Sequence, residues 1–142
     1  MSNELWQYSA MELAKMIRSK DVTSEEVVED HLKRIEEVNP KLNAITAVLE
    51  ESALSEARRA DQTEPVGPLH GVPFTVKENI DLFGTPTTSG IPAGAELMPS
   101  ADAPVVKRMK NAGAIPVGRT NLPELGLRID TDNPLRGRTL NP

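Results

Sequence analysis

Lys77 is the residue in this chain whose type and setting most suggest chemistry. It lies in the run Gly71-Val72-Pro73-Phe74-Thr75-Val76-Lys77-Glu78-Asn79, an apolar, β-prone stretch between two turn-forming segments. A free lysine is almost wholly ammonium near neutrality, with a reference pKa of about 10.4. Burial in a strand favours the neutral amine, which can attack or accept a proton. Taken by itself, a strand lysine is most often an edge or snorkelling residue.

The other reactive side chains read more simply. Glu78 and Asp81 neighbour the lysine, but strand alternation turns Glu78 to the opposite face, which suits a solvated or structural carboxylate better than a general base. Thr85, Thr87, Thr88 and Ser89 gather four hydroxyls, yet no histidine lies near them in sequence and no Gly-x-Ser-x-Gly or Ser-x-x-Lys motif occurs, so loop capping is the expectation. His31 and His70 are far apart and there is no cysteine, so no metal site is expected. Asp130-Thr131-Asp132-Asn133 begins like a calcium loop, but Pro134 and Leu135 stand where a ligand and a glycine are needed, and it reads as a solvated turn.

These residues need a frame to hold them. Ser9 and Glu12 have capping-box spacing, and Leu13, Met16 and Ile17 continue on one face, so a helix is expected to Ser19. Thr23 and Glu26 repeat the device ahead of Val28, Leu32 and Ile35, with Asn39-Pro40 expected to end that helix. Leu49, Ala53, Ala57 and Ala60 mark a third amphipathic segment. Val72, Phe74 and Val76 alternate as a strand. Asp102 and Pro104 start a helix with a buried stripe of Val105, Val106, Met109 and Ala112, which Gly113 ends, and Ala114 to Gly118 is a second, buried strand. Strand, helix, strand makes a βαβ crossover with parallel strands. The Ser/Thr/Gly/Pro-rich stretch from Phe83 to Ala101 is long for a structureless loop, and so is expected to be functional or packed.

Gly71-Val72-Pro73 followed by Val76-Lys77-Glu78-Asn79-Ile80-Asp81, and later Gly118-Arg119-Thr120-Asn121-Leu122-Pro123-Glu124, resemble the amidase signature family; the resemblance runs from about Leu5 to the end. It implies an α/β fold: N-terminal helices over about 1–62, then a βαβ portion over about 67–142, part of a larger mixed sheet covered by helices. It also implies a Ser-cis-Ser-Lys triad to which this sequence contributes Lys77, and an acyl pocket lined by Asn121, Leu122 and Leu125. Both serines of the triad belong to later segments, so residues 1–142 are expected to be the N-terminal portion of a single amidase domain, inactive alone. The substrate class is a small-molecule carboxamide, and no cofactor is implied. Thr120-Asn121-Leu122-Pro123-Glu124 and Asp132-Asn133-Pro134-Leu135-Arg136-Gly137 look more like the stand-alone amidases than the glutamine-hydrolysing subunit of a tRNA-dependent amidotransferase. A non-catalytic binding fragment stays open as a third reading.

Composition narrows the partners. Sixteen basic residues against 21 acidic ones give a net charge of −5, and no basic cluster is present, which disfavours nucleic acid and anionic membranes. The N-terminus lacks a signal-peptide pattern and no apolar run approaches membrane-spanning length, so a cytoplasmic location is expected. Aromatics make up only 3% of residues, so a modest core is expected, and a parallel sheet without its later strands would expose unpaired edges, so self-association of the fragment or a homo-oligomer is expected too.

Overall fold

The computed structural model describes residues 4–142. Its elements are α1 (Ala10–Ser19), α2 (Ser24–Leu42), β1 (Ile45–Val48), α3 (Glu50–Asp61), β2 (Pro73–Lys77), α4 (Pro104–Asn111) and β3 (Ile115–Thr120). The chain divides into two interleaved compact units, the first made of residues up to Glu37, Leu49–Phe74 and Arg108–Val117, the second of Val38–Val48, Thr75–Lys107 and Gly118–Pro142.

In the first unit local signals set the helices. The Ser9 hydroxyl accepts from the Glu12 amide and the Glu12 carboxylate accepts from the Ser9 amide, a reciprocal box that satisfies two orphan donors at the start of α1. Thr23 and Glu26 do the same ahead of α2. Asp61, at the end of α3, adds a second anchor: its carboxylate accepts from the Ser24 and Glu25 amides at 2.7 and 3.0 Å, placing negative charge on the positive end of α2.

The apolar stripes then close two cores. Val28 and Leu32 of α2, Ala53 and Ala57 of α3 and Ile115 and Val117 of β3 form one; Leu5, Leu13, Ile17, Val27 and Val72 form the other. The Arg34 guanidinium lies 4.3 Å from the centre of the Trp6 ring, whose residue also donates its amide to Asp30. His70 is buried, with Nε2 donating to the Ala60 carbonyl and Nδ1 accepting from the Val66 amide. Gly113 comes so close to it that a Cβ there would stand 2.6 Å from the His70 Cα, at a φ of +90°.

The sheet has the order β1-β3-β2. β2 and β3 run parallel, held by Ile115 N–H to Val72 O at 2.8 Å and Glu78 N–H to Thr120 O at 3.0 Å. This is the crossover expected from the sequence, with α4 between its strands. β1 pairs antiparallel with β3, Ala47 opposite Arg119 and Val48 opposite Gly118, with an irregularity between Ile45 and Ala47. The sequence patterns did not indicate β1.

One boundary and one burial expectation are corrected. α2 does not stop at Asn39-Pro40 but continues through Pro40 to Leu42. So near a helix end the missing proline N–H removes one bond, and the exit is secured otherwise: Asn43 turns left-handed at φ 54° and donates to Asn39 O, while Asn39 Oδ1 accepts from the Ala44 and Ile45 amides. On α4, Val106 is buried but Val105 is exposed, because the short helix turns only a narrow face inward.

The second unit buries less apolar surface and exposes more. Leu97, Met98, Leu125, Leu127, Ile129 and Leu140 stand more than half exposed in it, along with Phe83 and Val105. Polar side chains hold its interior instead. Among the described residues no helix is long and apolar enough to cross a membrane.

Candidate active site

Lys77 is the last residue of β2, on the strand face opposite Val72 and Val76. The face is the one that alternation predicts, and an edge setting is the usual one for a strand lysine taken by itself. β2 is an edge strand and its final side chain is exposed, with no hydrogen bond or ion pair among the described residues.

The buried ionisable group is its neighbour. Glu78, 1% exposed, faces the unit's interior. Thr46 donates to Oε1 at 2.5 Å, Thr88 donates to Oε2, and Arg136 forms an ion pair at 2.9 Å. Burial pushes this carboxyl up, but the bonds from Thr46, Thr88 and Arg136, with the Arg136 charge, outweigh it and hold Glu78 below the ordinary glutamate value. Of the two roles the sequence left open for Glu78, the structural one is realised.

Arg119, also buried at 1% exposure, donates to the Ile80 and Pro86 carbonyls at 2.9 and 3.2 Å. Burial lowers its pKa while Glu78 and Asp81 act in the opposite sense. Its Nε has no partner among the described residues. Sequence reading passed over this arginine, and its only signal was an odd position, a cation inside a buried strand.

The hydroxyl cluster behaves as loop capping. Thr85 caps the Leu82 carbonyl, Thr87 bonds Asp81, and Thr88, fully buried, links Glu78 to the Gly90 amide.

Downstream of β3, Asn121 is buried and its side chain is fully engaged: Nδ2 donates to Gly137 O and Thr139 Oγ1, and Oδ1 accepts from Asn133 Nδ2 and the Leu122 amide. Leu122 is completely buried, whereas Leu125 is half-exposed at φ 53°. The Asp130-Asn133 turn is only partly solvated: Asn133 is buried, because its side chain ties Asn121 and Leu122 to the amides of Leu135 and Arg136.

Lys77, Glu78 and Thr120 thus meet at the carboxyl ends of two parallel strands, where open α/β sheets place their ligands. The Amidase family profile matches residues 26–142. The chain belongs to the amidase family. It is 48% identical to indoleacetamide hydrolase of Bradyrhizobium diazoefficiens over 97% of its own length and 27% of that protein's. It is 38% identical to a glutamyl-tRNA(Gln) amidotransferase subunit of Acidothermus cellulolyticus, over 99% of this chain and 28% of the relative. A solved fatty acid amide hydrolase superposes with a TM-score of 0.93 at 26% identity, covering all of this chain and 26% of that one. This amidase chain thus spans little more than a quarter of the length of the relatives it matches.

Proposed function

We propose that residues 1–142 are the N-terminal portion of a carboxamide hydrolase in which Lys77 is the proton-accepting amine. The observation that carries this reading is the position of Lys77: it ends β2 beside the Thr120 end of β3, inside the stretch matched by the family profile, with its amine unengaged among the described residues. In the proposed reaction the neutral amine receives the proton of a serine hydroxyl through a second serine, both from segments outside these residues. The serine oxygen attacks the amide carbonyl, and expulsion of ammonia or amine leaves an acyl-enzyme, which water hydrolyses to the carboxylate. Asn121, Leu122 and Leu125 contribute to the acyl pocket, Leu125 by its side chain and the two buried residues by shaping the wall behind it.

The substrate is a small-molecule amide, and neither cofactor nor nucleic acid takes part. Greater identity to an amide hydrolase than to the amidotransferase relative favours the stand-alone enzyme over glutamine hydrolysis for tRNA-dependent amidation. In an enzyme carrying these residues, Lys77→Ala is expected to slow acylation at least about a hundredfold, the scale of a lost general base. Lys77→Arg should do no better, since a guanidinium cannot accept the proton. An arginine variant that keeps most of its activity would remove the assignment. The 142-residue chain alone is expected to release no ammonia or amine from aryl and aliphatic amides.

A further inference from the structure

The Lys77 side chain is exposed and has no hydrogen bond or ion pair among the described residues, so something other than its own contacts must set where its amine stands. Its following residue is fixed on every side. The Glu78 amide donates to Thr120 O, and its carbonyl accepts from the Ser89 amide at 3.3 Å. Its carboxylate takes Thr46 from β1, Thr88 from the loop and two nitrogens of Arg136 from the C-terminal segment. A carboxylate offers about four lone-pair positions, and here they are filled from three separate stretches of chain.

The same residue reaches further through the main chain. Ser89, whose amide it receives, has φ 50° and accepts from the Leu125 amide at 2.8 Å; Leu125 has φ 53°. Two non-glycine residues in the left-handed region, each costing about 1–2 kcal/mol, are thus bonded to one another. Such strain persists only where surrounding contacts impose it, and the Glu78 clasp is the contact at one end.

We propose that Glu78 is a positioning residue whose clasp on Thr46, Thr88 and Arg136, relayed through Ser89, sets the spacing between the Lys77 amine and the Leu125 side chain. This rests on the reading of Lys77 as the reacting amine and Leu125 as a pocket residue. Glu78→Gln tests it, because an amide nitrogen in place of one oxygen is a donor that faces donors and finds no acceptor.

Two measurements decide the matter. In the 142-residue chain, Glu78→Gln is expected to speed hydrogen exchange at the Ser89 and Leu125 amides at least about tenfold, with Val28 and Ala57 changing less than about twofold. Unchanged exchange at Ser89 and Leu125 overturns the relay. If Val28 and Ala57 show that Glu78→Gln has not folded, Thr88→Val, which removes one partner of the clasp, replaces it with the same expectation. In an amidase carrying these residues, Glu78→Gln is compared on a small aliphatic and a bulky aryl amide, with Lys77→Ala alongside. The expected pattern is a kcat lowered about tenfold or more on both and a KM raised several-fold on the bulky amide alone. An equal loss on both with unchanged KM values assigns Glu78 to stability only and overturns the proposal. Activity surviving in Lys77→Ala sinks the reading of the amine itself, a different failure.

Discussion

The two units of this chain are each held together by different chemistry. The first closes two apolar cores and exposes few large hydrophobic side chains among its described residues, Tyr8, Met11 and Val66. The second is organised by polar centres, Glu78, Arg119 and the Asn121-Asn133 pair, and leaves Leu97, Met98, Leu125, Leu127, Ile129 and Leu140 in solvent. Apolar packing is non-directional and stabilises wherever volume is filled, whereas a buried carboxylate or arginine is favourable only when every partner is in place. The candidate site belongs to the second kind, in which geometry is dictated bond by bond.

The contrast can be tested by substitution. Ile115→Ala, in the first core, is expected to cost about 2–5 kcal/mol, the range for a large side chain lost from a packed interior. Urea unfolding measures it, and a loss under about 1 kcal/mol would show that core to be slack. Arg136→Ala is next, on the order of 2 kcal/mol, below the 3–5 of a wholly buried pair because Arg136 keeps 30% of its side chain in solvent.

Acid should expose the same clasp. The folded-state pKa of Glu78 is depressed, so its contribution is present above the ordinary glutamate value of about 4.3 and is lost as pH falls through the lower folded value. Protection of the Ser89 amide, taken against its intrinsic exchange rate at each pH, should fall in that acid window in the wild type and lose this dependence in Glu78→Gln. A wild-type Ser89 amide whose protection is indifferent to acid would detach the loop from Glu78.

Thr23→Ala, which deletes the cap of α2, should cost about 1 kcal/mol. The smallest change in stability, within about 0.5 kcal/mol, is expected for Leu127→Lys with Ile129→Lys, which should nonetheless lower self-association in light scattering. If Met11→Lys, in the first unit, lowers it as much, the asymmetry between the units carries no weight in solution.

What could be read from the sequence follows the same division. Both capping boxes, the helical stripes and the parallel strands were legible because their signals are local: Ser9 and Glu12 lie three residues apart, and Val72, Phe74 and Val76 alternate. β1 escaped notice since its four residues are only half-buried or exposed and it exists by pairing with β3, far along the chain. Glu78 could be turned away from Lys77 by alternation alone. Its role could not be chosen, because Thr46 and Arg136 lie 32 and 58 residues away in sequence. Lys77 stands at the sheet edge, the setting most usual for a lone strand lysine, but which strand becomes the edge is a property of topology and leaves no mark on its own residues.

The stacking of Arg34 on Trp6 has a practical consequence for anyone following this protein with light. The chain has one tryptophan and one tyrosine, Trp6 and Tyr8, and both belong to the first unit. Intrinsic fluorescence therefore reports directly on the first unit alone. A melting curve recorded at the indole band has no probe beside Lys77, and loosening confined to the candidate site needs another reporter, such as exchange at the Ser89 amide.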